Sequence, residues 1–103
     1  MKLLVSQVLK QRDGTPMKDG DGKGEIVDAN LRTAIINALE ASLEIDKNEQ
    51  PIKKYERSKL ADRIYENDEV ELSIEEVALI KDRVGKVFGS YVVKVIWDLL
   101  EEK

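Results

Sequence analysis

Residues 69–77 read Glu69-Val70-Glu71-Leu72-Ser73-Ile74-Glu75-Glu76-Val77, and two periodicities meet inside them. Glu69 to Leu72 alternates polar and apolar, the pattern of a short half-buried strand. Ser73 stands three residues before Glu76, the capping-box spacing. There the serine hydroxyl accepts an early helix N–H and the glutamate reaches back to the serine N–H. Leu72 before the cap and Val77 at the fourth helical position make a hydrophobic staple. A helix therefore begins at Ile74, with Ile74, Val77, Ile80, Val84 and Val87 expected on its core side.

Toward the C-terminus, Gly89 stops this helix and Ser90 caps another from Tyr91 to Glu102. Val92, Val95, Ile96 and Leu99 share one stripe of it, and Trp97 falls beside that stripe. Toward the N-terminus, Pro51 suits the first position of a helix reaching Glu66. Its charges alternate and its apolar stripe is narrow (Tyr55, Leu60, Ala61, Ile64), as on a surface helix. Before a polar loop at Asp46–Gln50, Asp28 is placed to cap a helix from Ala29 to Ile45 whose apolar residues nearly encircle it. That is the pattern of a buried central helix.

Ahead of it, Asp19-Gly20-Asp21-Gly22-Lys23-Gly24 is too rich in glycine for a helix or a central strand. Leu3 to Lys10 is β-compatible and runs into Asp13-Gly14, a strong turn signal. Thr15 to Lys18 is the expected return strand, at an edge because Pro16 cannot donate to a ladder. The expected fold is α+β in the order β-β-α-α-β-α-α. It is one domain over residues 1–103: a hairpin at 1–18, a glycine-rich loop at 19–27 and a mainly helical remainder. The 69–72 strand is available to extend the hairpin.

A chain of 103 residues, 42% hydrophobic and 37% charged, can bury one core beneath a heavily ionised surface. Its net charge of −4 disfavours a general role on phosphate backbones. With no Cys and no His, disulfides, the usual zinc sites and Ser-His or Cys-His nucleophiles fall away. No cofactor is expected, and the composition argues against an enzyme. The apolar run Leu3-Leu4-Val5 breaks at Ser6 and Gln7, too short for a signal-peptide core, and nothing approaches a membrane span. A cytoplasmic location is the expectation.

Lys54-Tyr55, Leu60-Ala61, Ile64-Tyr65 and the run Asp68 to Lys81 together resemble a group of small phage and prophage proteins of Gram-positive bacteria. The closing Val92-Val93-Lys94-Val95-Ile96-Trp97-Asp98-Leu99-Leu100 is similar to the same group. So is the front pattern of strand, Asp-Gly turn and Gly/Asp-rich loop before an apolar helix. The resemblance implies a phage-encoded accessory protein in a bacterial host cell, and no mechanism.

Several constellations invite chemistry. A calcium loop begun at Asp19 would put Lys23 at the fifth ligand position and Asn30 at the twelfth, where a bidentate Glu belongs, so a plain turn is the better reading. The same loop lacks both phosphate-binding fingerprints, and its aspartates would repel an anion. Glu69, Glu71, Glu75 and Glu76 cluster, but the last two suit a helix N-terminus. A helix-turn-helix over 85–96 would lack Arg, Asn or Gln for base edges. Two surfaces are left. Phe88, Tyr91 and Trp97 border the last helix, where aromatics either close a core or anchor a protein interface. Lys53, Lys54, Arg57 and Arg63 make 51–66 locally basic, a possible nucleic-acid face or a helix laced by i,i+4 pairs. Protein binding, in host-factor binding or virion assembly, or self-association, is the leading expectation; nucleic-acid binding is the alternative.

Overall fold

The computed structural model describes residues 1–20 and 23–101. Nine elements follow one another. They are β1 (Lys2–Leu4), β2 (Lys18–Gly20), β3 (Ile26–Asp28), α1 (Leu31–Glu40), a single 3-10 turn (Glu44–Asp46), α2 (Pro51–Glu66), β4 (Glu69–Glu71), α3 (Ile74–Val87) and α4 (Ser90–Glu101). The α+β class holds, with four helices beside two small antiparallel strand pairs. Among the described residues no helix is long and apolar enough to cross a membrane.

The turn at Asp13-Gly14 forms, with Gly14 at φ 86° and antiparallel hydrogen bonds from Gln11 N–H to Thr15 O and from Met17 N–H to Leu9 O. Lys10 bridges Pro16 there. The strands, however, are divided differently from the expected hairpin. The chain turns at Val5–Ser6 and Gln7 Nε2 donates to Leu4 O, so β1 ends early. β1 pairs instead with β4, Leu3 opposite Val70, and the segment after Pro16 pairs forward with β3, Asp19 opposite Val27. The 69–72 strand thus finds its partner at the N-terminus. Of the loop expected at 19–27, Asp19 and Gly20 belong to β2 and Ile26 and Val27 to β3, while Asp21 and Gly22 lie outside the described residues.

The break in β1 has a use. Gln7 O accepts the Leu31 N–H and Val5 O accepts the Arg32 N–H, which satisfies two donors that the start of α1 would otherwise leave orphaned. Asn30, not Asp28, is the cap: its side chain accepts the Thr33 N–H at 2.9 Å. Asp28 is held in β3, ion-paired across the ladder with Lys18. α1 then stops at Glu40, five residues short of the expected Ile45, and Ile45 is exposed.

α1 is nevertheless the central helix. Leu31, Ile35, Ala38 and Leu39 are buried, and it packs against both α2 and α3. Leu60, Ala61 and Ile64 of α2 and Ile80 and Val84 of α3 are buried with it, and α4 packs on α3 with Ile96 and Leu100 buried. Leu3, Val5, Leu9, Val70 and Leu72 seal the β side.

Two stripe assignments need correction, and in each helix an arginine is among the buried residues. On α2, Tyr55 is exposed, and Arg57 takes the buried position that precedes Leu60, Ala61 and Ile64 at helical spacing. On α3, Ile74 is 86% exposed and the buried set is Ile80, Arg83 and Val84. The Ser73–Glu76 capping box forms in both directions, at 3.1 and 2.9 Å.

Candidate functional site

The outer edge of α4 starts from a helix whose stripe is committed inward at Ile96 and Leu100, with Val92, Val95 and Leu99 half-buried. Its three expected aromatics go to different neighbours. Trp97 sits against α3: the indole N–H donates to Lys81 O at 3.1 Å and the Lys81 ammonium lies 5.4 Å from the ring centroid. The ring also lies within van der Waals distance of the space beside Gly85. Lys81 in turn pairs with Glu101 at 2.7 Å. At 36% exposure Trp97 is a clasp between α3 and α4, the core-edge role. Phe88 ends α3 and packs, half-buried, against the core.

Tyr91 is separate from both. It is half-buried at the first turn of α4 and faces the turn that precedes β2. Its hydroxyl donates to Lys10 O at 3.4 Å, a long bond, and the Arg12 guanidinium lies 4.7 Å from its ring centroid. Between that turn and α4 lies an open groove of about 540 Å³, floored by Met17 and Val92 and rimmed by Arg12, Asp13 and Lys18. Asp13 is engaged within its own turn, accepting from Thr15 N–H (3.0 Å) and Thr15 Oγ1 (2.6 Å). Those bonds hold its carboxyl below the ordinary aspartate value.

The basic face of α2 is thinner than its sequence suggests. Arg57 is buried: it donates through Nε to Leu39 O at 2.8 Å and pairs with Glu49. Arg63 donates to Glu76 at 2.7 Å and to Glu71 O. Lys53 and Lys54 remain exposed on the helix. Arg57 therefore leaves the proposed nucleic-acid surface, and Arg63 is shared with a helix cap. Glu69 and Glu71 of β4 are both exposed.

A second group escaped the sequence reading. Arg83 is 3% exposed and reaches the end of α1, donating to Ala38 O (3.1 Å) and Ala41 O (2.7 Å). Its Nη1 lies 2.9 and 3.0 Å from the two carboxylate oxygens of Asp46. Burial alone would raise the Asp46 pKa. The Arg83 hydrogen bond, the Leu43 N–H and the nearby guanidinium charges outweigh it, so the carboxyl titrates below its ordinary value. The signal in the sequence was an arginine on an apolar stripe with acids in the 44–49 loop. The Arg12–Tyr91 contact left no such signal.

No family model, curated protein or solved structure matches this chain.

Proposed function

We propose that this chain is a non-enzymatic accessory protein, phage- or prophage-encoded, that acts in a bacterial cell by binding another protein or a second copy of itself. The observation that carries the reading is the groove at Tyr91. A half-buried aromatic and an arginine meet there at the mouth of an open apolar hollow. Tyrosine, arginine and methionine are the residue types that interfaces enrich, and an aromatic with one face already packed loses little entropy on binding. The phage origin rests on the resemblance of residues 54–100, together with the front pattern of strand, turn and loop.

Carboxylate catalysis has less support. Acid and base roles need surroundings that drive two pKa values apart, and Glu69 and Glu71 stand in open solvent. Nucleic-acid binding retains Lys53 and Lys54 from its four cations, since Arg57 and Arg63 hold carboxylates of this chain.

Affinity capture from a bacterial lysate, run in parallel with wild type and Tyr91→Ala, tests the reading. The expected result is a protein held by the wild type and weakened at least tenfold by Tyr91→Ala, with unchanged circular dichroism. Trp97→Ala is the poorer probe, because it opens the α3–α4 packing. A strictly monomeric chain that captures nothing would overturn the proposal. So would salt-sensitive capture of nucleic acid abolished by Lys53→Glu with Lys54→Glu.

A further inference from the structure

We propose that the groove between the 10–18 turn and α4 takes an acidic peptide segment of a partner protein. A peptide carboxylate pairs with Arg12, and an adjacent apolar side chain lies on Met17 and Val92. The inference rests on the protein-binding reading and supplies the chemistry of the ligand.

The chain has five arginines, and four of them hold a carboxylate: Arg32 with Asp68, Arg57 with Glu49, Arg63 with Glu76 and Arg83 with Asp46. Arg12 is the exception. Among the described residues its side chain has no hydrogen bond or ion pair and lies over the Tyr91 ring, although acids exceed bases by four in this protein. Its sequence neighbour Asp13 is turned onto Thr15 instead, and Lys18 at the groove rim already pairs with Asp28. The Lys10 side chain, two residues before Arg12, also has no partner among the described residues.

A guanidinium lying over an aromatic ring keeps its planar fork of N–H donors free and loses little freedom when a carboxylate arrives. The stacking contact thus holds the arginine ready without satisfying it. Beside it the Met17 and Val92 side chains are half-buried and form the floor of the groove. Methionine adapts to varied apolar shapes. A phosphate could meet Arg12 equally well, but a sugar-phosphate chain has no use for an apolar floor.

Selection of a displayed random-peptide library on the folded, full-length protein, followed by titration of the selected peptides, tests this. Sequences with Asp or Glu beside an aliphatic or aromatic residue should be enriched. Arg12→Glu, at an exposed position, should weaken them at least tenfold, and Arg12→Lys should restore part of the loss because it keeps charge without the fork. Amide shifts on binding should centre on Arg12, Met17, Tyr91 and Val92. Enrichment of uncharged or basic peptides, indifference to Arg12→Glu, no enrichment at all, or displacement by a single-stranded oligonucleotide would each overturn the inference. A partner captured from lysate that depends on Tyr91 and ignores Arg12→Glu would sink the acidic-ligand chemistry and leave the protein-binding reading standing.

Discussion

Arg83 closes a helix from 45 residues away in sequence. The last carbonyls of an α-helix have no partner within it, and here they are taken by side chains from two other helices: Arg83 bonds Ala38 O and Ala41 O, and Arg57 bonds Leu39 O. Asp46 and Glu49 then balance the two guanidinium charges. Removing one member of a buried, hydrogen-bonded pair leaves the other uncompensated, so Arg83→Met should cost about 3 kcal/mol in urea unfolding, a loss expected from few surface charges. Acid should act through Asp46. Its folded-state pKa lies below the ordinary 3.8, so the stability it contributes is present above that value. It drains away as the pH falls through the folded pKa. Unfolding measured from pH 6 downward should therefore show a steep loss below about 4, shallower in Asp46→Asn. An unchanged profile in that variant would place the acid sensitivity elsewhere, with Glu76 the next carboxylate held low by Arg63 and the cap.

At the scale of elements, local signals and burial part company along α3. Its cap was readable to the residue because a capping box spans three positions and needs nothing beyond them. Ser73→Ala should cost about 1 kcal/mol, read by thermal unfolding. Its core side was misread at one end. Ile74 belongs by spacing to the stripe, but its side chain stands in solvent. Ile74→Ser should shift stability by less than about 0.5 kcal/mol, whereas Ile80→Ala should cost about 2–5 kcal/mol. Gly85 offers the opposite sign. It lies inside the helix with ordinary backbone, and an added Cβ would meet Trp97 at 3.6 Å, an ordinary contact. Gly85→Ala should therefore stabilise the protein by about 0.5–1 kcal/mol. A loss on that substitution would mean that Trp97 packs more tightly on α3 than the contact distance implies.

For the whole molecule, the buried set runs without interruption from Leu3 to Leu100, and the first strand closes on the fourth. Such an interlocked core should unfold in one step. Trp97, the single tryptophan, reports on the α3–α4 clasp, while far-ultraviolet circular dichroism reports on all four helices. The two denaturation curves should coincide, and separated midpoints would reveal an independently melting part.

The sequence by itself determined the α+β class, the helix at 51–66, the strand at 69–71, the capped start of α3 and the apolar centre of α1. These depend on periodicity and on hydrogen bonds between residues a few positions apart, which a chain carries wherever it goes. Only the tertiary structure decided that β1 pairs with β4, that α1 ends at Glu40, that Arg57 and Arg83 are buried, and that Tyr91 meets the 10–12 turn. Each of those joins groups far apart in the chain, 37 residues for Arg83 and Asp46 and 81 for Tyr91 and Lys10. Closing such loops has an entropic cost that no short motif encodes. A lone arginine at position 12 reads as solvated surface; a groove in which it meets Tyr91 exists only once α4 has folded against it.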